Sequence, residues 1–223
     1  MNDETNEEKS KPVPLSAGAR RVLGVLVEKA KTVPDSYPMT LAAIVTASNQ
    51  KSNRAPKMDL DDDDALLALD ELRELGAARE IQGTGRAVKY RHAAYDWLDV
   101  DGPQAAVMTE LLLRGPQTSG EIRSRASRMY SFDGLKSAQA TIDDLIAKGL
   151  VEAVTPAGRG QTFAHTLYQA EERQHLAAKV EKQAAASPPK SKQIAAADQL
   201  VDRLAKVNER IDELERRIGE LEG

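Results

Sequence analysis

Apolar residues recur at helical spacing along most of the first 170 residues, and short strand-like runs separate the groups they form. Between Ala19 and Lys31 they repeat every three or four residues, which predicts a helix with one buried face. A second helix is expected from Leu41 to about Ser48, with Thr40 as its N-cap. A third is expected between Leu60 and Leu75, because Gly76 is suited to end it.

Two runs of strand-forming residues follow the third helix, Ala77–Ile81 and Ala87–His92. The five residues between them include Gly83 and Gly85, which tolerate the positive φ angles of tight turns, so the segment predicts a β-hairpin. Three helices followed by a hairpin is the order of the winged helix, a variant of the helix-turn-helix motif.

The same order occurs twice. At one ungapped offset of 73, Leu69–Leu72 matches Ile142–Leu145. The same offset matches Gly76 with Gly149, Gly85-Arg86 with Gly158-Arg159, Tyr90 with Phe163 and His92 with His165. The second set of predicted elements is helices at 104–114, 119–128 and 135–148 and strands at 150–154 and 162–168. The fold class expected is mainly α with small β-hairpins, as two tandem winged-helix domains at 15–98 and 101–169, preceded by a disordered lead-in at 1–14.

The C-terminal segment has a different pattern. Residues 170–192 read as a helix end and a flexible linker, since the paired prolines in Ala184–Lys192 cannot continue a helix. Residues 193–223 repeat apolar positions by three and four, which predicts a dimerising coiled-coil helix, with packing onto the chain's own body as the alternative. Its predicted dimerisation residues are Leu200, Leu204, Val207, Ile211, Leu214, Ile218 and Leu221.

Composition narrows the class of protein. The chain has 223 residues, a net charge of −4 and no cysteine, which excludes disulfides, thiolate metal sites and a thiol nucleophile. It has neither an apolar run of about 20 residues nor a secretory signal, so a cytoplasmic protein without a membrane partner is expected. No metalloprotease, nucleophile-elbow or P-loop string occurs, and we expect no enzyme activity, no cofactor and no metal.

The third helix of the first repeat is acidic. Asp59–Gly76 holds eight acidic residues and one base, Arg73, and four aspartates stand at the expected helix start. A recognition helix enters the major groove with that end first, so ordinary docking by this helix is disfavoured. Helix capping explains Asp61–Asp64 better than a divalent metal does, because consecutive helical positions point in different directions. A shared packing role is preferred for His92 and His165.

Basic residues collect in three local segments, at 49–57, in the first hairpin and after Thr118. Bases beside aromatics suit nucleic-acid backbones and also acidic proteins, while the alternative for each segment is a solvated face. For Asn49–Arg54, the structural alternative is that Asn49 and Asn53 fasten a long loop. The predicted binding residues are Asn49, Gln50, Lys51, Asn53, Arg54, Arg86, Lys89, Arg91, Arg123, Arg125, Arg128, Tyr130 and Arg159.

Four strings resemble the bacterial YceH family over about residues 15–168. They are Arg21–Lys29 (RVLGVLVEK), Pro34–Pro38 (PDSYP), Asn49–Arg54 (NQKSNR) with Pro56, and Gly115–Arg123 (GPQTSGEIR) with Arg128-Met129-Tyr130. The resemblance implies two tandem winged helices and no settled activity. Ser48 stands where relatives usually carry Cys, and the tail beyond about 180 lies outside the shared pattern.

Two functions follow as hypotheses. The first is a DNA-binding or transcription-related regulator that acts as a homodimer. The alternative is a protein–protein adaptor that uses the winged helices as a scaffold, which an acidic third helix would suit. The fold does not decide between them.

Overall fold

A computed structural model describes residues 13–82, 87–158, 160–176 and 178. Within these ranges the chain is mostly helical, with eight α-helices and two three-stranded antiparallel sheets. The first half, residues 15–100, contains α1 (Ala17–Thr32), β1 (Met39–Thr40), α2 (Leu41–Ser48), α3 (Asp62–Glu74), β2 (Ala78–Gln82), β3 (Val88–His92) and α4 (Ala94–Leu98). The second half, residues 101–176, contains α5 (Gly102–Arg114), β4 (Gln117–Thr118), α6 (Ser119–Ala126), α7 (Leu135–Ala147), β5 (Val151–Ala153), β6 (Thr162–His165) and α8 (Ala170–Gln174).

The predicted helices and strands form with ends that differ by a few residues. The short strands β1 and β4, the 3-10 turn Pro34–Ser36 and the short helix α4 were not predicted. A two-residue strand has no periodicity of its own, and β1 and β4 exist only because they pair with β3 and β6. Tertiary pairing, not local pattern, creates them.

Each sheet places its last strand at the centre, in the orders β1-β3-β2 and β4-β6-β5. Met39 lies opposite Tyr90 in the first sheet, and Gln117 lies opposite Phe163 in the second. All four side chains are buried. Each sheet therefore turns one face toward the core.

From the third helix to the last strand of each half, the offset of 73 holds in three dimensions. Gly76 and Gly149 follow α3 and α7 with φ angles of 73° and 72°, where a left-handed backbone favours glycine. The Nδ1 atom of His92 accepts a hydrogen bond from the backbone two residues on, at 3.3 Å. His165 repeats this bond at 3.2 Å. The two halves thus repeat local details as well as the order of elements.

The halves pack through their first helices, α1 and α5, whose central residues are buried on every side. A Cβ atom at Gly24 would lie 2.9 Å from side-chain carbons of Leu113, so the close approach of the two helices requires glycine there. The backbone N–H of Ala55 also donates to the carbonyl of Leu113, at 2.9 Å. One hydrophobic cluster contains buried residues of both halves.

None of the helices in the described part of the chain is both long and apolar enough to cross a bilayer.

Candidate nucleic-acid interface

The amide side chains of the loop after α2 hold the loop itself. Asn49 donates from Nδ2 to the carbonyl of Leu60 at 2.7 Å, and its Oδ1 accepts from the N–H of Leu60 at 2.9 Å. Asn53 has a φ angle of +59°, and its Oδ1 accepts a hydrogen bond from Arg114. Asn49 and Asn53 therefore fasten the loop, which was the structural alternative to a binding role. Lys51, which lies between them, is exposed.

Arg54 lies inside the protein. Its Nη2 is 2.5 Å from Oε2 of Glu28, its Nη1 is 3.1 Å from Oε1, and Nε donates to the carbonyl of Ala47 at 3.0 Å. Gln50 accepts a further bond from Nη2 at 3.2 Å. With 5% of its surface exposed, Arg54 is not accessible to a ligand, so we correct its placement from the binding surface to the interior.

Arg128 is likewise engaged by buried carboxylates. Its Nη1 bonds Glu28 of the first half, and its Nη2 lies 3.0 Å from Oε2 of Glu110. Arg114 approaches the other oxygen of Glu110 at 2.6 Å. The network links α1 and α5 through charges from both halves, which gives Arg128 a structural role that local composition does not indicate.

This interior network repeats the relation between the halves. Glu28 and Glu110 each lie five residues before the C-cap of their helix. Arg54 donates from Nε to the carbonyl one residue before the end of α2, and Arg128 donates to the corresponding carbonyl of α6, that of Arg125, at 3.2 Å. The sequence signal for this network is one carboxylate in a mainly apolar stretch of each helix, Glu28 in α1 and Glu110 in α5.

Opposing effects act on the pKa of Glu28. Burial raises the pKa of this carboxyl, but hydrogen bonds and positive charges from Arg54 and Arg128 outweigh burial and lower it below its ordinary value. Glu28 therefore stays ionised, as its two arginine partners require.

Other predicted residues after Thr118 are only partly available. Arg125 donates to Gln117 at 2.5 Å and to Glu121 at 3.2 Å. Arg123 is exposed. The ring of Tyr130 is 40% exposed and meets Phe132 edge-on, with ring centroids 5.0 Å apart. Arg123 and Tyr130 are the members of this segment that a partner could reach most easily.

The outward face of the first sheet is basic. Arg79 lies directly opposite Arg91, and Lys89 lies directly opposite Ile81, so these four side chains share one face. The three cations are exposed, and none has an ion-pair partner within the described residues. Like charges directly opposite each other destabilise a sheet, so this face has charge available for an anionic ligand.

The corresponding face of the second sheet is different. At the offset of 73, Arg79 corresponds to Glu152, Lys89 to Thr162 and Arg91 to Ala164. Arg173 of α8 donates to both oxygens of Glu152, at 3.0 and 2.6 Å. Ala164 is fully buried. This face is neutral and partly enclosed, whereas its counterpart is basic and open.

The helices α3 and α7 also start differently. Asp61 caps α3 in a reciprocal capping box with Asp64, and Asp62 and Asp63 are exposed in the first turn. The cap of α7 is Gly134, which makes no side-chain hydrogen bond, and the first turn of α7 has no acid. The predicted capping role of the aspartates is seen directly in these contacts.

Both paired histidines have packing roles. His165 stacks on Tyr168 with centroids 3.9 Å apart, and His92 lies 5.6 Å from the ring of Tyr95. Burial lowers the pKa of His165 to about 3 and that of His92 to about 4, so both rings are neutral near pH 7. In the described ranges no group of three His, Cys, Asp or Glu side chains is arranged to hold a metal ion.

Several predicted residues lie outside the described residues. They are Arg86, Arg159 and the seven predicted dimerisation residues, Leu200, Leu204, Val207, Ile211, Leu214, Ile218 and Leu221.

Comparison with known proteins identifies a family. Residues 15–162 match the model of DUF480, described as a protein family of unknown function, and the chain belongs to this family. A UPF0502 protein of Rhodopirellula baltica is 64% identical over 189 residues, which cover 84% of this chain and 80% of the relative. UPF0502 proteins of Koribacter versatilis and Geobacter metallireducens are 41% and 44% identical, over 69% and 68% of this chain and 73% and 71% of the relatives.

Proposed function

We propose that this protein is a non-enzymatic DNA-binding regulator of the YceH type, built from two winged helices and acting as a homodimer in the cytoplasm. Its order of elements supports the winged-helix assignment, because helix, short strand, two helices and two further strands occur in each half. The fold alone does not determine an activity, so the proposal depends on the charged surface.

The observation that carries the proposal is the open basic face of the first sheet. Arg79, Lys89 and Arg91 are exposed on the hairpin that would be the wing, and two of these cations stand directly opposite each other. Phosphate contacts provide much of the affinity of DNA-binding proteins and require such unpaired cations. A duplex backbone laid along this face would relieve the repulsion between Arg79 and Arg91.

The helix that enters the groove would be α7 of the second half. The aspartates at the start of α3 would repel phosphates, and the first turn of α7 presents an exposed Lys136 and no carboxylate. Arg123 and Tyr130, on α6 and in the loop before α7, are exposed and suited to further backbone contacts.

The test measures binding of a random duplex of about 25 base pairs by fluorescence anisotropy across a salt series. The variant combines Arg79→Gln, Lys89→Thr and Arg91→Ala, of which the last two introduce the residues found in the second half. Each lost phosphate contact should lower the slope of log K against log salt by about 0.9, so we expect a reduction of nearly three.

Lys57→Thr is the matched control, because Lys57 is an exposed cation outside the sheet face. We expect the salt slope of this variant to equal the parent's, because a lost phosphate contact at Lys57 would lower it by about 0.9. Absence of binding by the parent protein at low salt would refute the DNA proposal. An unchanged slope in the triple variant would refute the role of this face.

The dimer proposal rests on the heptad pattern of the tail. Removal of residues 190–223 should lower the particle mass seen in sedimentation, because the predicted coiled coil is lost. An unchanged mass per particle would contradict a tail-mediated dimer.

A further inference from the structure

The exposed face of α3 carries two leucines among carboxylates. Leu67 is 70% exposed and Leu66 is 36% exposed, although both lie in the middle of the helix. Asp62, Asp63 and Glu74 are exposed on the same helix. Together these five residues form what we call the α3 face.

Its leucines are not needed for the fold. The buried side of α3 consists of Ala65, Ala68, Leu69 and Leu72, which face the core without them. In the corresponding helix α7, the offset of 73 replaces Leu66 and Leu67 with Gln139 and Ala140. A helix in the same place therefore packs with polar or small residues at these positions.

Its charges also exceed what the helix needs. Asp61 and Asp64 already complete the capping box, and Asp62, Asp63 and Glu74 have no ion-pair partner in the part of the chain that the structure describes. Glu74 ends the helix, where the macrodipole disfavours a negative charge. Capping accordingly does not account for the whole set.

We infer that the α3 face docks a basic amphipathic helix of a partner protein. Two adjacent exposed leucines form an apolar patch that the apolar side of a partner helix can cover, and the flanking carboxylates complement lysine or arginine on the rim of that helix. The same carboxylates repel nucleic acid, so this surface and the basic sheet face select opposite partners. The inference is independent of DNA binding.

The probe is a labelled Leu/Lys amphipathic peptide of about 15 residues, or roughly four helical turns, titrated by anisotropy with the full chain. The test variant is Leu66→Gln with Leu67→Ala, which adopts the residues of α7. Because these two leucines are the apolar surface that the peptide would bury on this face, we expect the double variant to bind it at least about tenfold more weakly. Asp63→Lys should also weaken binding, since it introduces the charge found at Lys136.

Leu135→Gln is the matched control, because Leu135 is an exposed leucine on α7, outside the α3 face. The affinity of this variant for the peptide should equal the parent's. A Leu/Glu peptide of the same pattern should bind at least tenfold more weakly than the Leu/Lys peptide. Unchanged peptide binding by the double variant, or equal binding of the Leu/Glu peptide, would overturn the inference. Duplex affinity measured in parallel should not change in the double variant.

Discussion

The two halves of this protein share a backbone arrangement but present differently charged surfaces. The first half has an open basic sheet and an acidic α3, whereas the second has a neutral sheet partly covered by α8 and an α7 with no acid in its first turn. Glycine positions, histidine hydrogen bonds and arginine–carboxylate contacts repeat between them. The halves therefore differ mainly at equivalent positions on the surface, and these are the positions that substitutions can exchange.

The largest effect should follow the loss of Glu28, the carboxylate that arginines from both halves share. Glu28→Gln leaves the buried guanidinium of Arg54 without a counter-charge, which should cost about 3–5 kcal/mol in the free energy of unfolding. Glu110→Gln should cost less, since Arg114 and Arg128 both reach solvent. Urea unfolding of both variants measures the two changes in the free energy of unfolding.

Glu121→Gln is the control for that comparison, because it removes a partly exposed ion pair with Arg125 and should change stability by less than about 1 kcal/mol. Equal losses in Glu28→Gln and Glu121→Gln would show that the buried network does not hold the halves together.

The pH dependence should report the paired histidines. Because the pKa of His165 is about 3 when folded, the unfolded chain gains a proton below about pH 6.5 that the folded chain refuses. The free energy of unfolding should therefore decrease as the pH is lowered below about 6.5, by about 1.4 kcal/mol per pH unit. At pH 5 it should be about 2 kcal/mol lower than at neutral pH. His92, with a folded pKa of about 4, acts in the same direction.

We expect His165→Asn to remove the part of this loss in stability that His165 causes, about 2 kcal/mol at pH 5. Urea unfolding at pH 7.5 and at pH 5 measures the difference. The exposed His175→Asn serves as control and should keep the parent's pH dependence. A parent curve that stays level between these pH values would contradict a buried neutral His165.

Ser48 offers a smaller change toward the second half. Its hydroxyl is buried without a hydrogen-bond partner in the described structure, and the corresponding residue at the end of α6 is the buried Ala126. Ser48→Ala should raise stability by about 1 kcal/mol, because an unsatisfied polar group leaves the interior. Ala126→Ser should lower it by a similar amount, and thermal melts distinguish the two signs.

The smallest effects should come from exchanging the helix starts. Asp61→Ala removes the cap of α3 and should cost about 1 kcal/mol, whereas Gly134→Asp adds one to α7 and should gain a few tenths. Gly134 has open space around its Cβ position, so the added side chain fits. If α7 approaches DNA, Gly134→Asp should also weaken duplex binding, while Asp61→Ala should not.

Much of the fold could be predicted because its signals are local. The helical spacing in Ala19–Lys31, the glycine after each third helix and the offset of 73 are all confirmed in the described structure. The two-residue strands β1 and β4 escaped prediction, because they depend on partners that lie far away in sequence. Their register also decides which hairpin side chains face outward.

The candidate site was predicted less well. Local composition identified basic segments but did not separate Lys89 and Arg91, which are exposed, from Arg54, which is buried. Both kinds of residue look alike in a polar stretch, since the difference lies in a carboxylate on another helix. The exposed Arg79 belongs to the same sheet face but was left out of the predicted binding residues.

The sequence by itself determined the repeat, the helical content and the acidic character of α3, because these follow from spacing and composition within short windows. The tertiary structure alone decided which charged side chains pair in the interior and which face solvent. Glu28, Arg54 and Arg128 come from separate parts of the chain. The packing of α1 against α2 brings Arg54 to Glu28, and the packing of α1 against α5 brings Arg128 to it. Ion pairing depends on distances of a few ångströms in space, and the number of residues between two positions in the sequence does not give that distance.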